Sequence, residues 1–293
     1  MIRRTRRNQR RPAPAPFRVT DRDLAVLEAL GRMKFAATRH LALLAFAGSR
    51  WAAQKRLRRL LDAGLVRAWV PRLDGENIYT LAPRGVRLLE VPTADGFQWP
   101  IPRGLDGRLD HLLAINDVRL ALALGIERGG GQLLWWRSDW ELRGRFRERL
   151  VPDAVFAVRW TPTERVFALE VDNASRSQKG FLRKVVQYTA IEARAGGLCG
   201  VSEFRSLFVG RDPLWLERYR LAARESRCTW LVWFATLESL ERGIDRRIWI
   251  APDGSALSLR ELVFLPYRKE GLVAESASAY MTLPSSGGSD IPR

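Results

Sequence analysis

In residues 51–66, WAAQKRLRRLLDAGLV, the side chains of Leu57, Leu60 and Leu61 recur at helical spacing and face a core. Arg50, Gln54, Lys55, Arg58 and Arg59 fall on faces the leucines leave free, which predicts an amphipathic helix with a cationic outer side. Gly64 stands where a helix C-cap is expected. Beyond it, residues 65–70 and 78–81 are predicted as strands around the turn RLDGEN. Upstream, Thr20 caps DRDLAVLEALGRMKF, where Leu24, Leu27 and Leu30 and an acidic first turn mark a first helix. A shorter helix follows Thr38 in RHLALLAF and ends at the turn AGS.

Three helices followed by a hairpin are the sequence form of a winged helix-turn-helix, in which the third helix enters the major groove and the hairpin touches backbone. Double-stranded DNA is therefore the expected partner, met by Arg50, Gln54, Lys55, Arg58 and Arg59 on the third helix and by Arg72 at the hairpin tip. The alternative is a module of the same shape used for protein contacts, its basic face only solvated.

The composition agrees with a polyanionic partner. The chain has 293 residues, 46% of them hydrophobic, and a formal net charge of +17 carried mostly by arginine. Residues 1–18 alternate arginine-rich sequence with Pro and Ala, a composition that packs no core and predicts a disordered basic arm, suited to the minor groove or to phosphates. A purely solubilising terminus is the other reading. The opening MIRRTRRNQRR leads into PAPAP and not into an apolar signal core, and no apolar run approaches the roughly 18 residues of a membrane span. A cytoplasmic protein without a membrane partner is expected. Cys199 and Cys228 are far apart and lack zinc-site neighbours, and the only histidines are His40 and His111, so any metal chemistry must rest on carboxylates.

The winged helix is assigned to 19–92, a linker containing WPIPRGLDG to 93–107, a second domain to 108–268 and a disordered tail to 269–293. In the second domain, 109–127 reads as a long helix, GQLLWWRSDWEL as a strand, and 151–158 and 166–171 as two more. A helix at 179–195, a strand at SLFVG, a helix at 213–226 and a strand at TWLVWFA complete an αβββαβαβ order. The fold class is thus mixed, α/β and α+β. The tryptophans at 135, 136, 140, 230 and 233 sit in strand-like patterns that bury large rings, so most are assigned to core and few to base stacking.

Asp153 in VPDAVFAV and Glu170 in FALEVD stand at the ends of apolar strands that a sheet can place side by side. Two carboxylates a few ångströms apart repel unless a cation shares them, so the pair suggests Mg²⁺, which can activate water against a phosphodiester. Asp117 on the long helix is a weaker candidate for the same shell, and His111 reads as a core histidine.

Pro152-Asp153 followed by Glu170-Val171-Asp172, in αβββαβ order, resembles the PD-(D/E)XK nuclease fold, also called restriction-endonuclease-like. With DLAVLEALGRMKFAATRHLALL and AAQKRLRRLLDAGLVR in front, HLLAINDVRLAL between and FLRKVVQY behind, the chain from 18 to 235 resembles the replication-relaxation family of bacterial plasmids and mobile elements. The resemblance implies a setting of plasmid replication, relaxation or conjugative transfer, with other replication or transfer proteins as partners. It also implies Asp153, Glu170, Asp172 and a lysine as catalytic residues. The sequence departs from the nuclease pattern at Asp172, where a lysine is usual; Lys184 on the next helix, or Lys179, can supply the charge instead. Otherwise Asp172 is a third metal ligand, or it pairs with Lys184 in a fold that has lost catalysis. Three functions follow in order: a DNA-binding accessory protein of a mobile element, a Mg²⁺-dependent nickase or endonuclease targeted by the winged helix, and a transcriptional regulator.

Overall fold

The computed structural model describes residues 8–11, 16–71, 75–89, 98–105, 107–143, 150–172, 177–193, 197–201, 203–225 and 230–266. The chain divides into two compact units, 1–124 and 125–293, and the division falls inside a helix.

The first unit contains α1 (Asp21–Met33), β1 (Ala36–Ala37), α2 (Thr38–Ala45), α3 (Arg50–Asp62), β2 (Val66–Trp69), β3 (Ile78–Leu81), α4 (Pro83–Leu89) and most of α5 (Leu109–Arg128). The strands form an antiparallel sheet in the order β1-β3-β2. The three helices and the hairpin occur in the expected order. The core is made by Val26, Leu27 and Leu30 of α1, Leu41 of α2, Leu57, Leu60 and Leu61 of α3, and Val66 and Leu81 of the sheet. Leu24, expected on the inner face of α1, is exposed, because the buried stripe runs through Asp23, Val26, Leu27 and Leu30.

Thr20 and Asp23 form a reciprocal cap at the start of α1: Asp23 N–H donates to Thr20 Oγ1 at 3.4 Å, and Thr20 N–H to Asp23 Oδ2 at 2.8 Å. Arg56 of α3 donates from Nε to the same buried carboxylate at 2.6 Å, so this arginine ties α3 to α1 and is withdrawn from the helix's outer face.

The second unit contains β4 (Gln132–Ser138), α6 (Asp139–Leu142), β5 (Ala154–Trp160), β6 (Thr163–Asp172), α7 (Gln178–Glu192), β7 (Phe204–Gly210) and α8 (Pro213–Glu225). It continues with β8 (Val232–Thr236), α9 (Leu237–Arg242), β9 (Trp249–Ile250), β10 (Ala256–Leu257) and α10 (Leu259–Phe264). One sheet runs β10-β9-β8-β7-β6-β5-β4, with β6, β7 and β8 parallel and the other neighbours antiparallel. The mixed α/β architecture is the one expected, with two differences. DWEL leaves the strand as α6, because Glu141 accepts the Ser138 N–H at 2.8 Å and starts a helical turn. The elements after α8 also extend beyond the single strand foreseen.

Strand alternation gives the sheet two buried faces. Val166 and Ala168 of β6 pack with Phe181, Val185 and Tyr188 of α7 and Tyr219 of α8. Phe156 and Phe167, with the opposite parity on their strands, stack 5.3 Å apart, and Trp136 stacks on Phe156 at 5.0 Å. Arg205, almost fully buried, donates to the carbonyls of Leu262 (3.2 Å), Leu265 (2.9 Å) and Pro266 (3.2 Å), closing the end of α10.

Candidate functional site

Helix α3 begins at the Ser49 cap, where Ser49 Oγ accepts Ala52 N–H at 3.3 Å, and presents Trp51, Gln54, Lys55 and Arg59 to solvent. Arg50 is also exposed and stands 3.5 Å from Glu76. Arg58 is only half exposed, with Nη2 2.8 Å from Asp62 Oδ1 and Nε donating to Asp62 Oδ2 at 3.2 Å. Arg72 lies outside the described residues. Of the six expected DNA contacts, Gln54, Lys55 and Arg59 thus share one open face, with Arg50 and Arg58 beside it in ion pairs.

The described part of the arm follows α3. Arg10 Nε donates to the Asp62 carbonyl at 3.0 Å, and the Arg11 amide donates to Asp62 Oδ1 at 3.0 Å. Further along, Phe17 lies under the guanidinium groups of Arg56 and Arg59, 4.7 and 5.6 Å from its ring centre. The described residues of the stretch that the sequence assigned to a disordered arm thus place two arginines at the C-terminal end of the helix and an aromatic ring against Arg56 and Arg59.

Behind the helix, Ala37 N–H donates to His40 Nδ1 at 3.1 Å, so the ring proton belongs on Nε2, 2.8 Å from Asp117 Oδ1. Arg39 holds Asp117 through two bonds of 2.9 and 2.8 Å and reaches Glu76 at 2.8 Å. Asp117 thus ties α5 to α2 and to the strand preceded by Glu76. Burial alone would raise the Asp117 carboxyl, but the bonds from His40 and Arg39 outweigh it and bring it from 3.8 down to about 2. A depressed carboxyl stabilises the folded state above its ordinary value and loses that contribution as pH falls through 3.8 toward 2. Asp117→Asn should lower the melting temperature at neutral pH. The gap from the unsubstituted protein should then close between pH 4 and pH 2, as read by melting curves across that range.

In the second unit the sheet register sets Ala154 opposite Leu169, so Asp153, one residue earlier, comes beside Glu170. Glu170 is 1% exposed; Lys184 of α7 forms an ion pair with its Oε2, and Tyr188 donates to its Oε1 at 2.7 Å. Lys184 therefore reaches the glutamate from one helix away. Asp153 accepts Val171 N–H at 2.8 Å, and Asp172 accepts the Tyr219 hydroxyl of α8 at 2.8 Å. All three carboxylates are buried. The sequence pointed to Asp153, Glu170, Asp172 and Lys184; it put Tyr188 one turn beyond Lys184 without a role and did not single out Tyr219, and their partners lie 18 and 47 residues away.

A divalent ion does not fit this arrangement. Both Glu170 oxygens are engaged by Lys184 and Tyr188, and among the described residues no group of three or more His, Cys, Asp or Glu is placed to hold a metal. The ammonium already supplies the positive charge that a cation would bring. Trp136 and Trp233 are buried and Trp135, Trp140 and Trp230 half buried, whereas Trp51, not singled out from the sequence, is 72% exposed. No helix among the described residues is long and apolar enough to cross a membrane.

A comparison with curated proteins returns no match. Among solved structures the chain is similar to restriction endonuclease FokI bound to DNA, at 9% identity and a TM-score of 0.30 over 75% of this chain. That match spans 43% of the endonuclease, and so low a score carries neither fold nor function across. The model of the replication-relaxation family matches residues 27–201, from the inner face of α1 through both carboxylate strands and α7. That is more than half of the sequence, and the chain belongs to the replication-relaxation family.

Proposed function

We propose that this chain is a DNA-binding accessory protein of plasmid or mobile-element replication, relaxation or conjugative transfer, with the first unit acting as a winged-helix reader. Family membership supports a role in plasmid or mobile-element replication or relaxation. The observation that carries the DNA reading is the outer face of α3, where Gln54, Lys55 and Arg59 are open while Arg56 is held inside by Asp23. Amide and cationic side chains on a helix of this kind suit base edges and phosphates. Residues 1–7 carry four arginines and extend the same positive charge.

The two contributions separate by experiment. Removing residues 1–7, which leaves Arg10 and Arg11 on Asp62, should weaken binding of the full remaining chain to all duplexes alike. Gln54→Ala should change the ranking among sequences in a selection from random duplexes. A Gln54→Ala protein that selects the same sequences as the parent would count against α3 as the reader.

A second reading, a Mg²⁺-dependent nickase or endonuclease, is favoured by one observation: Lys184 meets Glu170, as a relocated catalytic lysine would. That reading requires Lys184 and Tyr188 to release the carboxylate. On the accessory reading, supercoiled plasmid incubated with the protein and Mg²⁺ or Mn²⁺ stays supercoiled; nicking that Asp153→Ala or Glu170→Ala abolishes, with DNA binding retained, would establish the second reading. A third reading, a transcriptional regulator, has no structural observation in its favour.

A further inference from the structure

Trp51 is the second residue of α3 and the large apolar side chain on its outward face. A ring of this size normally buries well over half its surface, so an indole left 72% exposed on a cationic helix is a costly feature without a partner. It stands one turn before Lys55, whose Nζ lies 5.0 Å from the ring centre, and it lines a shallow hollow with Arg22, Phe46, Lys55 and Arg59. The Arg22 guanidinium lies 5.8 Å from the Phe46 ring at the same place.

The surroundings decide which partner suits it. Lys55, Arg59 and Arg22 outweigh the single carboxylate of Asp21 and make the rim positive, which favours a polyanion over another copy of this strongly basic chain. Of the groups a base pair shows in the major groove, the thymine C5-methyl is the apolar one; the others are hydrogen-bond donors and acceptors. An indole has a single N–H donor and no acceptor, so it cannot make the bidentate pairings that guanine or adenine offers Arg, Asn or Gln. Its apolar edge is complementary to a methyl group, and Lys55 and Arg59, one and two turns further along the same stripe of α3, carry charges suited to phosphates.

We propose that Trp51 is a specificity-determining residue that reads thymine methyl groups in the major groove. This rests on the reading of the first unit as a DNA binder, and goes beyond it by naming a base and a chemical group.

The test compares a duplex of alternating adenine and thymine with its uracil counterpart, which differs by the methyl group, using fluorescence anisotropy and the full chain. The parent protein should bind the thymine duplex more tightly, by about 4-fold for each methyl group in contact with the ring. Trp51→Ala should bind both duplexes equally while keeping the salt dependence of the parent. Trp51→Phe should retain part of the preference. Equal binding of the two duplexes by the parent, or a preference that survives in Trp51→Ala, would overturn the proposal and leave DNA binding standing. No binding to either duplex would overturn the DNA reading itself. Self-association without DNA that Trp51→Ala abolishes would assign the residue to contacts between copies, and would also overturn the proposal.

Discussion

Lys184→Met should destabilise the protein by about 3–5 kcal/mol, because it leaves the Glu170 charge buried without its counter-ion. Glu170 is almost fully enclosed, and of the ammonium and the hydroxyl that meet its two oxygens, the variant keeps the neutral hydroxyl of Tyr188 and loses the charge. For a unit of this size the loss corresponds to a fall in melting temperature on the order of 10 °C. Glu170→Gln combined with Lys184→Met should recover most of it, since a neutral amide can keep the Tyr188 bond without a charge to compensate. Thermal unfolding of the single and double variants reads the coupling directly. A Lys184→Met protein that melts with the parent would show that the ion pair is not formed in solution, and would return Lys184 to the role of a mobile catalytic lysine.

Reversing Lys55 and Arg59 together, Lys55→Glu with Arg59→Glu, should reduce affinity for duplex DNA on the order of 10²-fold at moderate salt. Each phosphate contact contributes about 0.9 to the log–log salt slope, so loss of two contacts should flatten it by about 1.8. Both residues are exposed and neither belongs to the core that Leu57, Leu60 and Leu61 form, so the fold should survive. Arg56→Glu is not an equivalent change. It would strip Asp23 of its partner, and its effect would be on stability.

The first three helices were legible because their leucines repeat with the period of a helix and their caps are ordinary, Thr20 for α1, Ser49 for α3 and Gly64 after α3, whereas the short α4 was not foreseen. β1 was not, since two alanines have no period; it exists because Ile78 and Tyr79 provide a strand to pair with. α6 carried a legible signal, Ser138 three residues before Glu141, but the aromatic run before it suggested that the strand continued. β9, β10 and α10 depend on long-range packing, with Arg205 of β7 fastening the end of α10 from 57 residues away.

For the carboxylate cluster, the positions were visible and the partners were not. Asp153 and Glu170 come together through a hairpin register that strand patterns can suggest. Whether an ammonium or a tyrosine stands against each oxygen depends on how α7 and α8 pack on the sheet, which no spacing encodes. On α3 the spacing shows which side chains leave the core but not their partners: Arg58, expected at DNA, also pairs with Asp62, and nothing in the spacing tells that Trp51 stays exposed.

The most direct measurement is the dissociation constant of the full chain for a duplex across a series of salt concentrations, for the parent and for Lys55→Glu with Arg59→Glu. The account predicts steep salt dependence in the parent and a weaker, flatter response in the variant. No binding by the parent, or the same affinity and slope in both proteins, would contradict it.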